Sequence, residues 1–178
     1  TLFGLVNSGK VQMPSELLDM EMFTFTRQFL AENGYTPYEI SNFSKTNMEC
    51  MHNLHYWNVD KYLAFGPSAH GYNGNNRWWN VKSLEQYFKE IKLNKLPILS
   101  SENLSPSDHY NELIFNGLRL SQGIKLHILQ NAYQYDFESY IDSKLEKWNG
   151  LMVSEGYLKL NDEGILLADE IASDLFVD

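Results

Sequence analysis

The sequence is poor in cysteine, and that scarcity excludes more chemistry than any other feature. Of 178 residues only Cys50 carries a thiol. One thiol cannot build a disulfide framework, a cysteine zinc site or an Fe–S cluster held by this chain alone, since a cluster needs three or four thiolates. A reduced, cytoplasmic setting is the corresponding expectation. Positive charge is also scarce. There are 14 Lys and Arg against 23 Asp and Glu, a net charge of −9, with arginine only at Arg27, Arg77 and Arg119. That balance excludes a general polyanion-binding face, and nucleic acid is not an expected partner. No apolar run approaches the roughly 20 residues of a membrane span, so no integral membrane segment is expected, and no signal-peptide pattern is present. The chain opens on Thr1 rather than Met and reads straight into a helical pattern, which leads us to expect part of a longer protein.

What is present reads as globular. Hydrophobic residues make up 43% and charged residues 21%, close to the average for a folded domain. After a short mixed stretch punctuated by Gly9, Pro14-Ser15-Glu16 marks a helix start. Leu17, Leu18, Met22, Phe25, Phe29 and Leu30 follow at three-and-four spacing, and Asn33-Gly34 closes the helix. Tyr35 to Ile40 is rich in strand formers. A helix, a Gly cap and then a strand predict an α/β unit, and a β-hairpin is disfavoured because no partner run of suitable length lies nearby. Residues 41–58 are polar and aromatic without a clean period and read as a long loop. Tyr62-Leu63-Ala64-Phe65 reads as a short buried strand with a glycine-rich turn, Gly66 to Gly71, at its C-terminal end. Arg77 to Asn80 reads as another extended piece, and Leu84, Tyr87, Phe88 and Ile91 mark an amphipathic helix.

The character changes near Pro97. From Ser105-Pro106-Ser107-Asp108 the pattern is helical, with Leu113, Ile114, Leu118 and Leu120 in a stripe ended by Gly123. Further helices are expected over about 126–134 and 137–149, then a small hairpin from Gly150 to Leu160, then a last helix holding Ile165, Leu166, Ala168, Ile171 and Leu175. Helices followed by a two-stranded wing and a final helix suggest a winged-helix-like module. The acidic tail over 137–178 favours a protein partner for that module over DNA.

Three places could carry chemistry. In His52-Asn53-Leu54-His55-Tyr56-Trp57, two imidazoles sit three residues apart. The segment reads either as a metal, haem-iron or porphyrin site with aromatic walls, or as a loop anchored by aromatics with His52 and Asn53 bonded to backbone. Gly66 to Gly71 misses the nucleophile-elbow pattern, since position 70 is His rather than Gly, and lacks a P-loop ending. It reads either as a close backbone approach to a flat ligand with His70 facing it, or as a tight turn with a hydrogen-bonded His. Glu39, Ser41 and Asn42 could line a polar site or cap a turn. His109 and His127 stand alone and read as structural, and Trp78-Trp79 reads as core.

Taken in order, Tyr38-Glu39-Ile40-Ser41-Asn42-Phe43, His52-Asn53-x-x-Tyr56-Trp57 and Tyr62-Leu63-x-x-Gly66-x-x-Ala69-His70-Gly71 form a specific combination. They resemble the C-terminal half of the HemW group, the haem-chaperone branch of the oxygen-independent coproporphyrinogen III oxidase (HemN-like) radical SAM family. Glu112-Leu113-x-x-x-Gly117-Leu118-Arg119-Leu120, Gly123-Ile124, Gly150-Leu151-Met152 and Leu160-Asn161-Asp162-Glu163-Gly164 resemble that family's C-terminal domain. The resemblance implies an α/β (α+β) fold. Residues 1–97 would be the last elements of a partial radical SAM β/α barrel, with the aromatic-rich loop. Residues 98–178 would be a helical, winged-helix-like domain.

The resemblance also implies a [4Fe–4S] cluster and S-adenosylmethionine in the parent protein, held by a Cys-x-x-x-Cys-x-x-Cys motif that this chain lacks and Cys50 does not replace. Radical chemistry by this chain alone is excluded by ligand count. Haem or porphyrin is the implied ligand, with His52 as iron ligand and Asn53, Tyr56, Trp57 and His70 as further binding residues. His55 falls outside the motif. Two function classes follow. One is a chaperone that holds haem and delivers it to a recipient haem protein. The other is an oxidase that decarboxylates the propionates of coproporphyrinogen III. The His-Asn-x-x-Tyr-Trp motif favours the chaperone. Strand edges left without partners would allow a homodimer.

Overall fold

Ser15 begins the first long helix as its sequence predicts, its hydroxyl accepting the Leu18 backbone N–H at 3.3 Å. The computed structural model describes residues 1–133 and 135–178. The chain divides into two compact units, Thr1–Glu49 and Cys50–Asp178. The division expected at 97/98 falls inside the second unit.

The first unit holds α1 (Leu2–Asn7), α2 (Glu16–Glu32), β1 (Thr36–Pro37) and β2 (Phe43–Ser44). The mixed stretch before Gly9 is therefore partly helical. Helix α2 ends at Asn33, and Gly34 takes φ +81°, the left-handed backbone that glycine adopts without steric cost. The α/β reading of the next segment is corrected. Only Thr36 and Pro37 are extended, and they pair antiparallel with Ser44 and Phe43, so the disfavoured hairpin is what forms. The partner run is short because Pro37 has no N–H to extend a ladder. The connection is fixed by a side chain instead: the buried Glu39 carboxylate accepts the Ser41 backbone N–H at 3.1 Å and the Asn42 side-chain amide.

The second unit opens with α3 (Met51–Trp57), which corrects the reading of 41–58 as one long loop. The helix has no buried residue and no side-chain bond at its Cys50 cap, so it carries no apolar stripe or capping signal. Strands β3 (His70–Tyr72), β4 (Asn76–Asn80) and β5 (Ile98–Asn103) form an antiparallel sheet in that order. Gly71 lies under Trp78, where a Cβ would stand 2.3 Å from the indole. The expected buried strand at Tyr62–Phe65 is also corrected. Only Tyr62 pairs, in an isolated antiparallel bridge to Tyr72, and Leu63 and Phe65 are exposed. The backbone there is satisfied by a side chain: the buried Asn80 amide donates to the carbonyls of Ala64 and Gly66 at 3.2 and 3.0 Å. Helix α4 (Leu84–Lys92), capped by Ser83, leads to β5, which sequence patterning did not reveal.

The C-terminal elements follow expectation in the main, except that the single last helix expected over Ile165 to Leu175 is two short helices and a third strand joins the expected two-stranded wing. They are α5 (Pro106–Gly117), β6 (Ile124–Lys125), α6 (Leu126–Ala132), α7 (Phe137–Lys147), β7 (Leu151–Ser154), β8 (Tyr157–Leu160), α8 (Asp162–Ile165) and α9 (Ala168–Asp174). The expected end of α6 at Gln134 lies outside the described residues. Helix α5 starts with a full capping box between Ser105 and Asp108, with Pro at the first turn. The wing is a three-stranded sheet in the order β6-β8-β7. Ile114, Leu129, Leu158, Ile171 and Leu175 are fully buried and form the core. Gly150 and Gly164 bring two backbones together so closely that a Cβ on Gly164 would lie 2.1 Å from the Gly150 carbonyl oxygen. Asp174 joins α9 to α7 through Lys147, Trp148 and Lys144 at 2.6, 2.8 and 3.1 Å. No described helix is long and apolar enough to cross a membrane.

Candidate functional site

Helix α3 carries His52, Asn53, Tyr56 and Trp57 on two adjacent stripes. His52 and Tyr56 are four residues apart and share one; Asn53 and Trp57 share the next. The His52 imidazole is exposed and meets the Tyr56 ring edge to face, centroids 5.0 Å apart at 88°. Among the described residues, its ring nitrogens have no hydrogen-bond partner. His55 differs, because its Nδ1 lies 2.7 Å from the Asp60 carboxylate. No group of three His, Cys, Asp or Glu converges among the described residues. Asn53 is half-buried.

Tyr56 continues into a run of aromatic contacts. Its ring lies 4.9 Å from Tyr62, and Tyr62 lies 6.1 Å from the buried Tyr72. The Arg77 guanidinium sits 5.7 Å over the Tyr72 ring and pairs with Glu112 of α5 at 2.7 Å. Burial alone would lower the Arg77 pKa, but the Glu112 hydrogen bond and charge outweigh it and raise the value. Burial, then the Glu112 charge, pushes the Tyr72 phenol up. The Tyr72 hydroxyl donates to the Gly74 carbonyl at 3.0 Å and lies 3.4 Å from His109 Nδ1.

Trp57 faces elsewhere. The Arg119 guanidinium covers its ring at 5.3 Å, and the indole walls a cleft of about 530 Å³ that also takes in Asp60, Leu120, Lys125 and Tyr157. His70 opens β3 and is exposed. It packs against Trp79 of β4, its registered cross-strand partner, centroids 6.0 Å apart. The structure thus joins His52 to Tyr56, gives Trp57 its own surroundings and seats His70 on the sheet. Glu39, Ser41 and Asn42 lie in the first unit and bond to one another.

Sequence reasoning missed Arg77, Tyr62, Tyr72, Glu112 and Arg119 as parts of this arrangement. Glu112, Arg119 and Tyr62 each stood inside a quoted motif, which was the available signal. Arg77 stood in a piece read only as extended.

Residues 104–167 match the HemN C-terminal domain family. Over that segment the chain is similar to the HemN C-terminal domain. Over nearly its whole length it is also similar to the heme chaperone HemW of Bacillus subtilis, with 30% identity across 95% of this chain and 45% of the relative. HemW of Mycobacterium tuberculosis is 31% identical across 96% of this chain and 42% of the relative. The mitochondrial radical S-adenosyl methionine domain-containing protein 1 of Bos taurus is 30% identical across 95% and 38%. The chain thus spans less than half the length of these relatives. A solved coproporphyrinogen III oxidase (HemN) from Escherichia coli, titled a radical SAM enzyme, superposes with a TM-score of 0.66 at 18% identity, over 92% of this chain and 43% of that one. This last likeness is one of fold. The resemblance read from the motifs, both to HemW and to the HemN C-terminal domain, is borne out.

Proposed function

We propose that this chain is part of a HemW-like haem chaperone and that His52 supplies an axial ligand to the iron of bound haem. The observation that carries the reading is the state of the His52 imidazole. It is exposed, free of hydrogen bonds among the described residues, and held edge-on by Tyr56 within the motif His52-Asn53-x-x-Tyr56-Trp57. A neutral imidazole with an accessible nitrogen is a good axial ligand, and an adjacent phenol ring offers a flat apolar wall to a macrocycle. Asn53 and Trp57 lie on the neighbouring stripe of the same helix and would border the ligand. His70, on β3, would contribute from the sheet.

The parent protein would deliver the haem to a recipient haem protein. The [4Fe–4S] cluster that the relatives imply alongside S-adenosylmethionine needs several thiolates, and this chain supplies one exposed cysteine. The residues here do not fit the cluster, and no step is assigned to it.

The test is a haem titration followed by visible absorbance, with the chain and His52→Ala in parallel. We expect a saturable Soret shift for the chain and at least about 10-fold weaker binding, with altered ligation, for the variant. Identical, non-saturating spectra for both would overturn the assignment of His52.

A further inference from the structure

We propose that Arg77 is the positioning residue of the His52 site, acting from β4 through Tyr62 and Tyr56. The inference rests on the His52 reading for its functional meaning, but its structural content stands apart from haem. Helix α3 cannot hold the imidazole by itself: it is seven residues long, buries no residue and lacks a side-chain cap. Arg119 holds Trp57 at the far end of the helix, and at the His52 end the support comes through what Tyr56 leans on.

Tyr56 leans on Tyr62, ring to ring at 4.9 Å and 66°. Tyr62 is anchored by two backbone bonds to Tyr72, at 2.9 and 2.8 Å. Tyr72, whose ring lies 6.1 Å from that of Tyr62, is buried under the Arg77 guanidinium. Arg77 is itself held from α5 by Glu112 and from β5 by Glu102, at 2.7 and 3.7 Å. Its planar fork thus meets two carboxylates and an aromatic face at once. A lysine ammonium has the charge but not the fork. With the fork removed, Tyr62 and then Tyr56 gain freedom, and the imidazole loses its single orientation.

The primary experiment needs no haem. In the NMR spectrum of the haem-free chain, the His52 ring proton resonance should be displaced by the ring current of Tyr56. Arg77→Lys should move it toward the value of a free histidine while the His55 resonance, fixed by Asp60, stays in place as the fold control. Tyr62→Ala should do the same, and Tyr62→Phe, which keeps the ring, should largely restore it. If Arg77→Lys fails to fold, the Tyr62 pair decides the question. An unmoved His52 resonance in Arg77→Lys and in Tyr62→Ala would overturn the proposal.

Haem titration of the same variants then separates the two claims. Weakening of about 10-fold in Arg77→Lys, with a broadened Soret band, is the expected result when His52→Ala weakens binding at least as much and alters ligation. Loss in His52→Ala with unchanged binding in Arg77→Lys and Tyr62→Ala would leave the His52 assignment standing and overturn the role of Arg77 in it. An unaffected His52→Ala would remove the haem assignment, and the NMR shifts would still decide the positioning.

Discussion

The guanidinium of Arg119 lies 5.3 Å over the ring of Trp57. The same group lies 5.9 Å from the Phe115 ring and pairs with Asp169 at 3.3 Å. One arginine just past the end of α5 therefore holds the last residue of α3, while His52, at the other end of that helix, rests on the tyrosine run. Arg119→Ala should destabilise the second unit by about 1 kcal/mol and speed amide exchange across residues 51–57. Hydrogen exchange that leaves this segment unchanged would contradict the anchoring role.

Asp174 links α9 to α7 electrostatically. Hydrogen bonds from Lys147 and Trp148, and then from Lys144, hold its carboxyl far below the ordinary carboxylate range. The folded value is thus lower than the unfolded one, so the contribution to stability is complete above about pH 4 and is lost as pH falls toward the folded value. Asp174→Asn should lower stability at neutral pH by about 1–3 kcal/mol and flatten the acid limb of the stability profile. Denaturant titrations at several pH values check both expectations, and parallel acid limbs for the two proteins would refute the second.

The close approach of Gly150 and Gly164 is a backbone-on-backbone contact, so no side chain can yield to relieve it. Gly164→Ala should destabilise by about 1–3 kcal/mol through overpacking. A thermal midpoint equal to that of the parent chain would show that the two segments can separate without loss.

Ile114 is fully buried on α5, the helix that also carries Glu112. Ile114→Ala should cost about 2–5 kcal/mol by leaving a cavity, read as a fall in the denaturant midpoint without a change in slope.

The elements legible in the sequence were those with a complete local code. Helix α2 has a Ser cap, an apolar repeat and an Asn-Gly stop. Helix α5 has Ser105 and Asp108 in a capping box, and the wing has Glu155-Gly156 at its turn, both residues with positive φ. Where that code is missing, the reading failed. Helix α3 shows no stripe because it buries nothing. The strand expected at Tyr62–Phe65 does not form because Asn80, distant in sequence, takes the carbonyls that a neighbouring strand would have used. The hairpin at β1 and β2 depends on the Glu39 carboxylate, whose hydrogen bonds leave no trace in hydropathy.

The candidate site divides in the same way. Its residue types and spacing, His52-Asn53-x-x-Tyr56-Trp57, were readable in the sequence, and so was the family resemblance they carry. One thiol and a net charge of −9 had already limited the chemistry, because ligand count and charge are properties of composition alone. The tertiary structure decided what surrounds each histidine of the candidate site and its neighbour. Asp60 pairs with His55, the Trp79 ring packs on His70, and the Tyr56 ring packs on His52. It also decided that Arg77 stands behind the site. Arg77 and His52 are 25 positions apart, and what connects them is a packed path of rings and ion pairs. That path exists only once β4, the Tyr62 segment and α5 are brought together, since side-chain contacts are short-ranged in space and carry no fixed spacing along the chain.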